Sequence, residues 1–306
     1  MDLERRTFLK KIAGYSLAIT AGGLALPRRA KCEVVKPFAE IICNNYLNKT
    51  IRKKIIEIKK QNPNLSLGDL HCHSYFSDGS YSVNDLMLRA ASLGLDFLVI
   101  TEHLTPQRYN SDCCLESIIA QQNAFDKWID KDLKPPDIYP AVEIGTREGH
   151  LIAVFPEEYF KPKYLQEIKQ NFKHFYYYEA QVETVAKLIH KMHGISIVAH
   201  PNIVRSYPFG ISSDYVKKRL TGLVDAIEDM STGHGYHKDY SKETGLASIG
   251  ASDDHLNILI GTSLTQFDRS DKKNLIQAIR SKTTKAVQIT DLLSPLFTPT
   301  KLFFSV

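Results

Sequence analysis

Short apolar runs that close on a histidine or a carboxylate restrict this chain more than any other feature. Alternation along Leu65–His73 predicts a strand, and its period of two puts His71 and His73 on one face and Cys72 on the other. Asp96–Ile100 leads into Thr101-Glu102-His103, and Ile138–Glu143 ends on its glutamate. Ile195–Ala199 runs into His200, and Ser248–Ser252 into Asp253 and His255. His150–Phe155 is a further strand with its histidine at the start, and Leu223–Met230 and Ala286–Thr290 complete the set. Helical spacing separates them: a helix starting at Ser82 and stopped by Gly94, then Ser111–Asp130, Glu179–His193, Tyr240–Leu246 and Lys272–Ser281. Seven or so parallel strands alternating with helices predict an α/β domain with a TIM-like barrel architecture. The polar strand ends then fall on the rim where such barrels build active sites.

The first 30 residues stand apart from that domain. Arg5-Arg6-Thr-Phe8-Leu9-Lys10 precedes Ile12–Pro27, an uncharged run too short and too rich in glycine to span a bilayer stably. The pattern resembles a twin-arginine export signal, which implies engagement of the twin-arginine machinery and a periplasmic or extracytoplasmic location. A retained N-terminal anchor is the competing reading. Residues 31–64 read as a helical lead-in, Phe38–Lys60 with a lysine-rich outer face, ended by Pro63 and Asn64. The barrel is expected over 65–306.

Residues 1–30 hold six basic and two acidic side chains, so they account for +4 of the formal net charge of +5. What remains is near neutral, which gives no case for a nucleic-acid surface. The five cysteines (Cys32, Cys43, Cys72, Cys113, Cys114) lack regular spacing and contain no C-x-x-C pair, so neither a disulfide framework nor a thiolate zinc site is expected.

Neutral imidazoles mixed with carboxylates suit zinc, manganese or iron and suit calcium poorly. The candidate ligands His71, His73, Asp78, His103, Glu143, His200, Asp253 and His255 exceed the needs of one ion, so two or three divalent ions are expected.

The ordered set H-C-H-S-Y-F-S-D-G, I-T-E-H, A-V-E-I-G, V-A-H-P-N and G-A-S-D-D-H resembles the PHP (polymerase and histidinol phosphatase) family from about Asp69 to His255. The resemblance implies a distorted seven-stranded β/α barrel with a trinuclear centre that hydrolyses phosphate esters through a metal-bound hydroxide. Carried over by residue, it implies His71, His73, Glu143 and Asp253 on the first ion. Glu143 would bridge to a second ion shared with His200 and one more histidine, best filled by His150. Asp78, His103 and His255 would hold the third. Two positions depart from the common pattern: Asp78 stands where histidinol-phosphate phosphatases often carry histidine, and Glu102 replaces the commoner aspartate before His103. Glu143, Asp253 and His255 are the expected catalytic residues, and a small phosphorylated molecule is the expected substrate.

Arg147, Arg205 and His234 are candidate substrate contacts, although a single loop arginine is more often a solvated surface charge. Glu102, His234 and His237 are open candidates for a general acid. His174, His190 and His193 lie on or beside helices and read as structural, Phe172 and Phe175–Tyr178 as packing under a loop, and Asp254 as a loop-forming residue. Two other functions stay open: an amidohydrolase-type metal hydrolase, and a non-catalytic metal or phosphate binder.

Overall fold

The first strand, β1 (Leu65–Asp69), is buried along nearly its whole length because elements pack on both sides of it. The computed structural model describes residues 47–104, 111–128, 130, 132–172, 180–204, 209–270 and 274–290. The export-signal segment, most of the lead-in, Cys32, Cys43, His174, Phe175–Tyr178 and Arg205 lie outside these described residues.

Helix α1 (Asn48–Gln61) turns Ile51 and Ile55 into the core and its lysines outward, with Lys59 paired to Asp96 at 2.8 Å. Helix α2 (Val83–Leu93) begins at a capping box in which Ser82 and Asp85 each accept the other's backbone N–H, and it ends at Gly94 in the left-handed region. A cap of this kind contributes about 1 kcal/mol. After α2, β2 (Phe97–Leu98) and β3 (Glu102–Leu104) come from one apolar run. After α3 (Ser111–Asp126), β4 (Asp137–Ile138) and β5 (Ala141–Gly145) come from another. Further along the chain come β6 (His150–Val154), α4 (Pro162–Phe172), α5 (Val182–Lys191), β7 (Ile195–Val198), β8 (Ala226–Ser231) with the short β9 (Tyr236–His237) on its edge, α6 (Tyr240–Thr244), β10 (Ala247–Ala251), β11 (Ser263–Asp268), α7 (Leu275–Arg280) and β12 (Lys285–Gln288). The two early runs each contribute to two sheets, one ordered β12-β11-β1-β2-β4 and the other β10-β8-β7-β6-β5-β3.

The expectation of an all-parallel sheet needs correction. β6 is antiparallel to both β5 and β7, and β11 is antiparallel to β1 and β12. The connection from Gly145 to His150 is too short for a parallel crossover, which takes a dozen or more residues, so the chain turns straight back. Reversal of β6 also explains why a histidine at a strand start belongs with those at strand ends. The start of β6 lies beside the end of β5, with Gly145 opposite His150. Three elements, α4, β9 and β11, have no counterpart in the sequence reading.

Backbone hydrogen bonds join the two sheets at one end. Asp253 N–H donates to His71 O and His73 N–H to Asp254 O, both at 2.9 Å, while Thr101 N–H donates to Cys72 O at 2.9 Å. Along the strands, the Thr265 hydroxyl accepts from Gly250 N–H (3.0 Å) and donates to Gly250 O (2.8 Å). The interior between the sheets holds small and branched side chains, among them Leu70, Val99, Ile152, Ile197, Ala226 and Ile249. Outside, α4, α5 and their neighbours pack a second apolar layer on β5–β8. No helix of the described residues is long and apolar enough to cross a membrane.

Candidate metal centre

The strand ends deliver eight of the nine predicted donors to one end of the sheets, and the loop after β1 brings the ninth, Asp78. Gly79 makes that loop possible, since a Cβ there would lie 2.1 Å from His73 O. Ser80 N–H then ties the loop to His255 O at 2.8 Å. His200 and Asp253, just past β7 and β10, have positive φ angles of 30° and 52°. Such backbone costs about 1–3 kcal/mol per residue and is kept where a side chain must be aimed.

Four donor atoms enclose one position. His71 Nε2 and His73 Nε2 are 3.1 Å apart, each is 3.2 Å from Asp253 Oδ1, and each is 3.5 Å from Glu143 Oε2. Bonds of about 2.1 Å to a single ion set neighbouring donors roughly 3.0–3.4 Å apart, so the cage has the size of a divalent transition metal. Glu143 Oε1 faces the other way, 2.8 Å from His150 Nδ1 and 2.9 Å from His200 Nε2. The two oxygens of one buried carboxylate thus serve two groups of imidazoles. A third group is more open: Asp78 Oδ1 lies 3.2 Å from His255 Nε2, and Asp78 Oδ2 lies 3.4 Å from His103 Nε2. His103 also reaches Glu143 Oε2 through Nδ1 at 2.7 Å, so its ring joins the third group to the first. The Asp78 side chain is 35% exposed against 1% for Glu143, which puts the solvent opening on the third group's side.

The electrostatics suit cations. Burial by itself would raise the Glu143 carboxyl, but the rings of His103, His150 and His71 outweigh it and hold it well below the usual range. Asp253 and Asp78 are likewise held low against their burial, Asp253 by His71 and His234 and Asp78 by His103 and His255. His73, disfavoured as a cation by burial and by His255 and His103, falls to about 3, which leaves its ring neutral at ordinary pH. His200 is also lowered, chiefly by burial. Glu143 Oε2 is buried without a partner in hydrogen-bond geometry among the described residues. Against their burial, the neighbouring carboxylates raise His71, His103 and, to about 9, His255, so the pocket draws positive charge to its centre. Carboxylate oxygens and imidazole nitrogens converging within 4.8 Å in such a field are a fit for divalent ions.

Glu228 was not among the sequence candidates. Fully buried on β8, it accepts from His71 Nδ1 at 2.7 Å and from the His200 backbone N–H at 2.7 Å. A carboxylate can only accept, so Nδ1 carries the hydrogen and Nε2 is left to ligate, as is usual for a metal-binding histidine. The available signal was an acidic residue inside the apolar run A-I-E-D-M.

Glu102 does not face the pocket. Its oxygens accept from the hydroxyls of Ser74 (2.5 Å), Ser117 (2.9 Å) and Ser77, which removes it as a general acid. His237 is exposed on β9. Arg147 is exposed in the β5–β6 turn, where its backbone N–H donates to Ala180 O. Asp254 turns away and accepts from the backbone N–H groups of Leu256 and Ile260, and Cys72 Sγ points to Val99 O on the opposite face, both as the alternation predicts. Phe209 lies flat on His200, ring centroids 4.1 Å apart at 16°, and covers the second group from outside.

Residues 69–196 of this mixed α/β fold match the family model of the PHP domain. No curated protein sequence matches the chain. Among solved structures, PsfC from Pseudomonas syringae PB-5123 is similar, with a TM-score of 0.54 at 14% identity, covering 78% of this chain and 99% of that one. A two-domain protein from Bacteroides vulgatus ATCC 8482, containing a predicted PHP-like metal-dependent phosphoesterase, has a TM-score of 0.50 at 17% identity. That match covers 74% of this chain and 66% of the other, so the chain spans just under two thirds of that protein. At such identities the likeness speaks to the fold.

Proposed function

We propose that this protein is a metal-dependent phosphoesterase that hydrolyses a small phosphate ester at a centre of two or three divalent ions, zinc, manganese or iron. The observation that carries the reading is Glu143, whose two oxygens face separate groups of ring nitrogens. His71, His73, Asp253 and Glu143 would hold one ion, Glu143, His150 and His200 a second, and Asp78, His103 and His255 a third. Divalent ions bound there supply an acidified water and neutralise the charge that builds on phosphoryl oxygens. The chain's own residues do the positioning. Glu228 fixes the ring of His71, Phe209 keeps bulk water from His200, and the open group of Asp78, His103 and His255 receives the anionic substrate from solvent. In this reading the two sheets are parts of one distorted seven-stranded barrel, supported by the bonds from His71 and His73 to the segment after β10.

The test is metal content by elemental analysis alongside hydrolysis of p-nitrophenyl phosphate, its phosphodiester analogue and a carboxyl ester. Two or three transition-metal ions per chain, with cleavage at phosphorus that chelation removes, is the expected result. Cleavage of the carboxyl ester alone would transfer the protein to the amidohydrolase reading, and purification without metal from metal-supplemented medium would overturn both.

The twin-arginine pattern at Arg5 and Arg6 supports a further part of the proposal, that residues 1–30 direct export of the folded protein. Arg5→Lys with Arg6→Lys should hold it in the cytoplasm on fractionation, and unchanged export would rule that route out.

A further inference from the structure

The sequence T-G-H-G after β8 is shaped to press His234 against the metal centre. Thr232 to Gly235 is a tight turn closed by a Gly235 N–H to Thr232 O bond of 3.1 Å, with Gly235 at φ 66°. Gly233 N–H donates to Ser252 O at 2.8 Å, and a Cβ on Gly233 would lie 2.8 Å from Ser252 O and 2.9 Å from Asp253 O. Only glycine lets the two backbones approach this closely. The result is that His234 Nε2 stands 2.6 Å from Asp253 Oδ2, the oxygen that the first cage does not use. The His234 side chain is 4% exposed, and its Nε2 has no partner in hydrogen-bond geometry among the described residues. A buried ring nitrogen so close to a carboxylate oxygen without hydrogen-bond alignment is arranged as two donors to a common ion are. His200 closes the group: donor atoms of His200, His234 and Asp253 lie within 4.8 Å of one another, and the His200 and His234 rings meet edge to face at 4.9 Å.

We propose that His234 is a metal ligand, so that Asp253, like Glu143, divides its two oxygens between neighbouring ions. The inference rests on the metal centre proposed above, and adds a donor on the flank of the second ion's site next to His200. This donor also accounts for the two glycines that flank it. A histidine kept only for packing would need neither the close approach to residues 252 and 253 nor an Nε2 set against Asp253 Oδ2 out of hydrogen-bond alignment.

The experiment is direct metal binding, with no turnover required. Apo protein made by chelation would be titrated with zinc and with manganese by calorimetry, and metal content counted after dialysis, for wild type, His234→Ala, His234→Gln and the exposed-site control Lys238→Ala. Both His234 variants should lose about one ion per chain or bind it roughly 10–100-fold more weakly, with Lys238→Ala unchanged. The Gln variant keeps the bulk of the ring and guards against a collapse of the turn, which circular dichroism would report. Wild-type stoichiometry and affinity in a folded His234→Gln would overturn the ligand role and leave the wider reading intact. A wild-type protein that binds neither metal would overturn the metal centre itself.

Discussion

On the proposed function, Glu143→Gln is expected to release more than one ion per chain and to lower turnover of p-nitrophenyl phosphate by at least about 10³-fold. The carboxylate is 1% exposed and its two oxygens meet five histidines: His71, His73 and His103 on Oε2, His150 and His200 on Oε1. An amide of the same shape offers one acceptor and turns its NH₂ toward the other group, so one side loses its only shared anionic donor while the other keeps a neutral oxygen. Loss of one preorganised group at a reacting centre typically costs 10²–10³ in rate, and here two groups depend on the same residue. Elemental analysis and steady-state rates on p-nitrophenyl phosphate check the expectation. A full metal complement with normal turnover would show that no ion depends on Glu143.

The second large effect is expected one layer further out. Glu228→Gln should weaken metal affinity by about 10–100-fold, and turnover should recover when excess metal is added. Glu228 holds two donors at once, the His71 ring through Oε1 and the His200 backbone N–H through Oε2, each at 2.7 Å. Glutamine can accept only one of these bonds. The other donor then faces an NH₂ in a fully buried place, which costs about 1–3 kcal/mol of stability and frees the His71 ring to turn. Recovery with metal separates this positioning role from that of Glu143, where added metal should not restore the rate. Calorimetric titration of zinc and a metal-dependent rate curve give the two readouts, and unchanged affinity would exclude the role.

Sequence and structure divide the protein unevenly. The polar ends of the apolar runs were readable because period-two alternation decides which side chains share a face, and His71 and His73 therefore meet while Cys72 points to Val99. The capping residues Ser82 and Gly94 were readable for an equally local reason, since they satisfy backbone groups within one turn of the helix. Strand direction was not so accessible. β6 looks like any buried strand, and only the short link from Gly145 makes it run backwards. β11 was missed because Ser263–Asp268 interleaves polar residues with its apolar ones, and its burial comes from β1, some 200 residues earlier in the chain.

The local order of residue types by itself determined the α/β class, the list of nine candidate donors and the PHP resemblance, because these depend on side-chain identity and near-neighbour spacing. The bridging place of Glu143 was implied by that resemblance; the contacts that put the donors there were decided by the tertiary structure. Glu143 divides between two groups because β5 lies between β6 and β3, and Glu228 supports His71 because β8 closes beneath the end of β1. Asp253 turns its second oxygen to His234 because Gly233 lets two backbones touch. Each of these is a contact between segments far apart in the chain, set by how the strands pack, and no local pattern carries that information.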